Sequence, residues 1–262
     1  MAAPGITYNN RKRATENGAE SEALAAQKER KGTFAKVFVA IVVLAASLVV
    51  GRAIFKGMPG ENIQFVALLF LSILAARMKL TLPGFDSCMS MNLPFILIAV
   101  AQLDVSQAVM VGAVSTLAQS MPGPGSHMKP LQMLFNVCNI ANAVAISCFV
   151  AQHGSTWPTA AKPLVVAATA LLFFLADTLP VATIITLTEG KDWVRTWDGI
   201  VLLSLPYFVL SAGVATIVLA GTHYVGWQFP SVLLVVMYCV YRSFRYYFEA
   251  VRKISEPVKG KD

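Results

Sequence analysis

Apolar and polar residues fall in long blocks along this chain rather than alternating singly. A polar lead of 34 residues gives way to apolar runs at about 35–54, 63–78, 92–103, 105–121, 131–152, 163–188, 199–222 and 229–247. A helix needs about 20 mostly apolar residues to cross a bilayer, with a range of roughly 17–25. Two runs, 92–103 and 105–121, are short and are divided by Asp104. The pattern predicts an all-α fold, a polytopic integral membrane bundle of six to eight transmembrane helices. Eight crossings result if both short runs cross, and six if 92–121 forms a re-entrant hairpin. Residues 1–34 are then a flexible or partly helical cytoplasmic tail, 35–247 the transmembrane domain, and 248–262 a short basic cytoplasmic tail.

Composition strengthens this picture. The chain is 56% apolar and 13% charged, whereas soluble domains carry about 25% charged residues. A soluble enzyme, a disordered chain and a disulfide scaffold are all excluded. The cysteines Cys88, Cys138, Cys148 and Cys239 have no paired spacing and lie in or beside apolar runs. They read as small buried hydrophobes.

The net charge of +7 could suggest nucleic acid, but its distribution points to topology. With both termini inside, eighteen basic residues face the cytoplasm, including Arg11 to Lys36, Arg77, Lys79, Lys129, Lys191, Arg195 and Arg242 to Lys261. Only Arg52, Lys56 and Lys162 face outward. Such asymmetry is the orientation signal of inner-membrane proteins, and both termini are expected to be cytoplasmic. The long polar lead reads as the approach to a retained signal anchor, not a cleaved signal peptide.

Few residues inside the apolar body could carry chemistry. Asp177 lies deep in the run 163–188, where a carboxylate costs roughly 2.5–3.5 kcal/mol and must face the bundle interior or be protonated. Pro180 removes a backbone donor and frees the carbonyl near residue 176. Gln132, Asn136, Asn139 and Asn142 fall within a 120° arc of about 280–40° on one helix, at 100° per residue. These amides either bind neighbouring helices or line a pocket. With Asp177, Gln102 and Gln107 they form the candidate polar cavity. Asp177 is either an active ligand-binding group or a neutral partner of a neighbouring Asn.

A break at Leu82-Pro83-Gly84-Phe85-Asp86-Ser87-Cys88 ends one helix near Lys79, and Asn92 and Pro94 open the next. It is either an ordinary turn-rich loop or a broken helix presenting its ends to a ligand. His127, His153 and His223 have no acidic or cysteine partner at metal-ligand spacing, so no metal site is expected. Trp157, Trp193, Trp197 and Trp227 sit at run ends, as an interfacial belt requires. No phosphate-binding, dinucleotide, zinc-protease or nucleophile-elbow motif occurs. No catalytic residue is expected, and no cofactor is indicated.

Residues 61–247 resemble the N-terminal membrane region of bacterial signalling proteins with HD-type phosphohydrolase or GGDEF-type cyclase output domains. The likeness is carried by Ala76-Arg77-Met78-Lys79-Leu80-Thr81-Leu82-Pro83-Gly84, Asn92-Leu93-Pro94-Phe95-Ile96-Leu97-Ile98 and Leu134-Phe135-Asn136-Val137. It continues in Asp177-Thr178-Leu179-Pro180-Val181-Ala182, Leu187-Thr188-Glu189 and Ser204-Leu205-Pro206-Tyr207. It departs at Asp177, where Asn is expected, and at the C-terminus, where the helix from Tyr247 stops at Asp262: either an output domain belongs to a longer protein or this is a stand-alone relative. Without that domain no cyclic-dinucleotide chemistry is expected.

The Leu-Pro-Gly break and Gly112 also resemble substrate-binding subunits of energy-coupling-factor vitamin transporters. The Ala-xxx-Ala docking pattern of their first helix occurs here only as Ala141 and Ala145, on the fifth run.

The expectation is an inner-membrane sensor or ligand-binding module. A small molecule or lipid near Asp177, Asn136, Asn139 and Asn142 would shift the last helix toward a membrane or cytoplasmic protein partner, with self-association also expected. A vitamin-like transporter subunit and a non-catalytic structural subunit are the alternatives. Arg242, Arg245, Arg252 and Lys253 either anchor topology or attract anionic lipids.

Overall fold

The computed structural model describes residues 5–56, 63–81, 88–121, 130–154, 162–225, 232–239, 241–243 and 246. The fold is helical apart from one small ladder. In chain order it runs α1 (Gly5–Lys56), α2 (Ile63–Ala76), β1 (Lys79–Thr81), β2 (Cys88–Ser90), α3 (Leu93–Gln102) and α4 (Val105–Ser120). Then come α5 (Pro130–Gly154), α6 (Lys162–Glu189), α7 (Trp193–Val225) and a shorter apolar helix α8 (Val232–Ser243). Among the described residues, four stretches are long and apolar enough to cross a membrane: Arg30–Phe55, Pro130–Gly154, Leu164–Glu189 and Ser204–Gly221.

The lead, expected to be flexible or partly helical, is helical from Gly5 and continuous with the apolar part of α1. Extending an existing helix needs no new nucleus, and residues 14–30 are rich in Ala and Glu, which favour helix. The tail 248–262 lies outside the described residues.

The core is built around α3. Asn92 precedes it and Pro94 occupies its first turn, where a missing N–H costs nothing. All eight residues from Leu93 to Val100 are buried, because α3 is apolar on every face and is surrounded by α2, α4, α5 and α7. At 10 residues it is only about 15 Å long, half of the roughly 30 Å hydrocarbon core.

Small residues bring α4 close to α5. A Cβ on Gly112 would lie 2.9 Å from a Val144 methyl and 3.1 Å from an Ile140 methyl, so only glycine allows this approach. Across α6 and α7, Phe208 meets Phe174 edge-on at 4.8 Å and Phe173 at 5.9 Å between ring centroids.

Contacts between distant residues fix the two ends of the bundle. At one end the Lys79 ammonium donates to the Met121 carbonyl at 2.9 Å, joining the exit of α2 to that of α4. Lys31 of α1 lies beside Gly190, in the turn between α6 and α7. Trp193 stacks on Trp197 at 5.7 Å and donates to Thr183 at 3.3 Å. At the other end the Ser106 hydroxyl donates to the Ala53 carbonyl at 3.3 Å, which sets the α3–α4 corner level with the end of α1. The break after α2 is flanked by an antiparallel ladder pairing Lys79 with Ser90, Leu80 with Met89 and Thr81 with Cys88. Residues 82–87 at its tip lie outside the described residues.

Candidate functional site

Helix α6 runs through Pro180 without interruption. A proline ring crowds the preceding turn and leaves its carbonyls available. The carbonyl used is that of Asp177, one residue beyond the position expected from sequence. The Asn139 side-chain amide donates to it at 2.9 Å and to the Asp177 carboxylate Oδ1 at 3.0 Å. One buried amide on α5 thus holds both the backbone and the side chain of Asp177.

Beside this pair lies a cavity of about 230 Å³. Its walls come from six elements. Strand β2 gives Ser90, the turn after it Asn92, α3 Leu93 and Ile96, and α4 Thr116, Gln119 and Ser120. Helix α5 gives Asn136, Asn139 and Ile140, α6 gives Phe173, Asp177 and Val181, and α7 gives Ser204, Tyr207 and Phe208. Among the described residues, Asp177 is the sole acidic or basic side chain on this lining.

A chain of hydrogen bonds braces one wall. Ser90 donates to the Asn92 side-chain carbonyl at 2.7 Å, Asn92 to Ser115 at 3.3 Å, and Ser115 to the Gly112 carbonyl at 3.1 Å. The Tyr207 hydroxyl of α7 donates to the Ser90 carbonyl at 2.6 Å. The broken segment therefore does more than reverse the chain: it is tied to α4 and α7 and contributes Ser90 and Asn92 to the cavity. By helical rise, Asn136 lies about 9 Å from the start of α5 and Asp177 about 18 Å from the end of α6, well inside the helices.

One lining group lacks a partner. The Thr116 hydroxyl is buried and makes no hydrogen bond. Most helical hydroxyls here bond the carbonyl four residues back, as Thr178 does to Phe174 and Ser204 to Ile200. A buried hydroxyl left unpaired is costly, and Thr116 lies on the cavity lining.

The predicted site residues separate into two groups. Asp177, Asn136 and Asn139 come together on the lining. Asn142 does not join them: its amide donates to the Val42 carbonyl of α1 at 3.1 Å. Gln132 is exposed in the first turn of α5, and Gln102 is half-buried at the far end of α3; neither lines the cavity. Gln107 is buried on α4 away from the lining. The 120° arc is divided because α1 packs against the Asn142 side of α5. Sequence reasoning missed Thr116, Gln119, Ser120, Ser204 and Tyr207 as site residues. Their only signal was spacing, 116/119/120 and 204/207, which places each set on one helical face.

Among the described residues no cluster of three His, Cys, Asp or Glu could hold a metal. Cys148 is buried and Cys138 half-buried, both as free thiols. His153 is exposed and packs on Phe149 at 4.1 Å. His127, Trp157 and Trp227 lie outside the described residues. Comparison with protein-family models, with curated proteins and with solved structures finds no match for this chain.

Proposed function

We propose that the chain is a multi-pass inner-membrane sensor whose helical bundle binds a small molecule at Asp177 and relays its presence to a cytoplasmic partner. The observation that carries this is the convergence of four distant segments on one cavity. Asn92, Asn136, Asp177 and the pair Ser204 and Tyr207 all line it, and each belongs to a stretch that resembles the membrane region of bacterial signalling proteins. Packing alone does not require polar groups from these separate stretches to meet around one cavity.

The relay follows from connectivity. A ligand touching Ser204, Tyr207 and Phe208 bears on α7, which leads into α8, and Leu233 and Met237 of α8 pack into the same core. The basic residues from Arg242 onward then carry the movement toward a cytoplasmic protein partner or anionic lipid. No catalytic step is proposed.

Eight traverses with both termini cytoplasmic fit the anchored ends. Lys31, Lys79, Lys191 and Arg195 belong to one end, and Arg52 and the Asp104 corner to the other. The α3–α4 corner is level with the end of the apolar part of α1, which favours two short traverses over a shallow re-entrant hairpin. The transporter reading gains no support, since Ala141 is buried and Ala145 packs against the core, leaving that pattern no outward face.

Native mass spectrometry of the gently solubilised full chain tests the proposal. The expected result is a copurified small molecule that is lost in Asp177→Ala. A heteromeric assembly with no ligand would overturn it. For topology, Lys56→Cys and Lys191→Cys should label from opposite sides of the membrane, and labelling from the same side would refute the assignment.

A further inference from the structure

The chemical class of ligand follows from how charge and hydrogen-bonding groups are distributed around the cavity. Among the described residues, Asp177 is its one acidic or basic side chain. The Asn139 amide occupies Oδ1 and the backbone carbonyl, and among the described residues no donor is bonded to the other carboxylate oxygen. The sole ion pair among the described residues, Glu189 with Lys191, lies at the turn after α6. The carboxylate thus stands at membrane depth without a protein countercharge, an arrangement that is costly unless something else supplies one.

An anion is the obvious rival, because α3 begins at the cavity and helix N-termini attract anions. Here that end is spent. Pro94 has no N–H, and the Phe95 and Ile96 amides both bond the Asn92 carbonyl, at 3.1 and 3.2 Å. A bare metal ion is also a poor match, since about 230 Å³ holds the liquid volume of roughly seven or eight waters. That space is nevertheless smaller than the roughly 300–1,000 Å³ of drug-sized pockets.

Resting on the binding role proposed above, we infer that the ligand is a compact organic monocation, an ammonium group on a small frame that also presents a hydrogen-bonding group. The free oxygen of Asp177 neutralises the ammonium. The faces of Phe173, Tyr207 and Phe208 suit the cation and the carbon atoms next to it. The Ser204 hydroxyl has donated its proton to the Ile200 carbonyl and is left as an acceptor. The unpartnered Thr116 hydroxyl, 5% exposed, takes the ligand's second polar group.

The test is a ligand panel on the full chain in detergent or nanodiscs, read by thermal shift and titration calorimetry. The probes are ethanolamine, butylamine and tetramethylammonium, with butanol, butyrate and potassium chloride as neutral, anionic and inorganic counterparts. The amines are expected to bind at least tenfold more tightly than butanol or butyrate. Asp177→Asn, nearly isosteric, is expected to lose at least tenfold in amine affinity. Thr116→Val is expected to weaken ethanolamine about threefold or more and to leave butylamine within twofold.

Preferential binding of butanol, butyrate or potassium would overturn the cationic class while leaving a binding role intact. Amine binding that survives unchanged in Asp177→Asn would also overturn it. If no probe binds and native mass spectra show no copurified molecule, the binding role itself fails.

Discussion

Two sides of α5 use the same residue type for different ends. Asn139 faces the cavity and holds Asp177 through two bonds, at 2.9 and 3.0 Å. Asn142, one turn further on, makes one bond to the Val42 carbonyl and joins α1 to the bundle. They are separated by about 60° around the helix axis, and their neighbours decide the outcome. Around Asn142 the wall is apolar, with Val39, Val42 and Phe135 forming a small cluster. Around Asn139 it contains a carboxylate, a cavity and hydroxyls from β2, α4 and α7. An amide within a membrane helix thus takes its role from the element packed against it, not from its place on the helix.

Substitutions along α5 and its contact with α4 probe this contrast in decreasing order of effect. Gly112→Leu should be the most damaging, since it forces a side chain into the closest α4–α5 approach. Overpacking of this kind costs typically 1–3 kcal/mol, and both sides of α5 should suffer together in a detergent melting curve. Asn139→Ala removes both bonds to Asp177 and should cost about 1–2 kcal/mol, with at least a tenfold loss of ligand affinity by calorimetry.

Asn142→Ala should cost only about 0.6 kcal/mol, the average for interhelical hydrogen bonds within a membrane, and leave ligand affinity within twofold. Equal loss of ligand in Asn139→Ala and Asn142→Ala would abolish the distinction between the two sides. The exposed Gln132 sets the baseline: Gln132→Ala should change stability by less than about 0.5 kcal/mol.

The helices were legible because long apolar blocks end at residues that interrupt them. The run 131–152 becomes Pro130–Gly154 and 163–188 becomes Lys162–Glu189, bounded by a proline and a glycine or by charges. Helix α1 was not legible beyond its apolar part, because helix propagated from a stable segment leaves no periodic hydrophobic signature.

The site was legible where a strongly polar group interrupts an apolar run, hence Asp177, Asn136 and Asn139. Hydroxyls gave no such signal. A serine or threonine in a membrane helix usually satisfies itself on a carbonyl one turn back, as Thr169, Thr183 and Ser147 do. Thr116 does not, and only its surroundings reveal this. Asn142 and Gln132 were misplaced for a related reason: a helical arc shows which residues share a face but not which neighbour covers each part of it.

The short, largely buried α3 also sets an order of events during synthesis. Its ten residues span about half of the hydrocarbon thickness, so it cannot hold a stable position across the bilayer alone. One of its flanks is covered by α7, which begins at Trp193, long after α3 has left the ribosome. Until α7 arrives, Tyr207 cannot brace Ser90, and the cavity lacks the wall formed by Ser204, Tyr207 and Phe208. The cavity is therefore completed late, and under the proposed binding role ligand occupancy would report on a finished bundle. A chain arrested before α7 would carry Asp177 and its asparagines without a complete cavity between them.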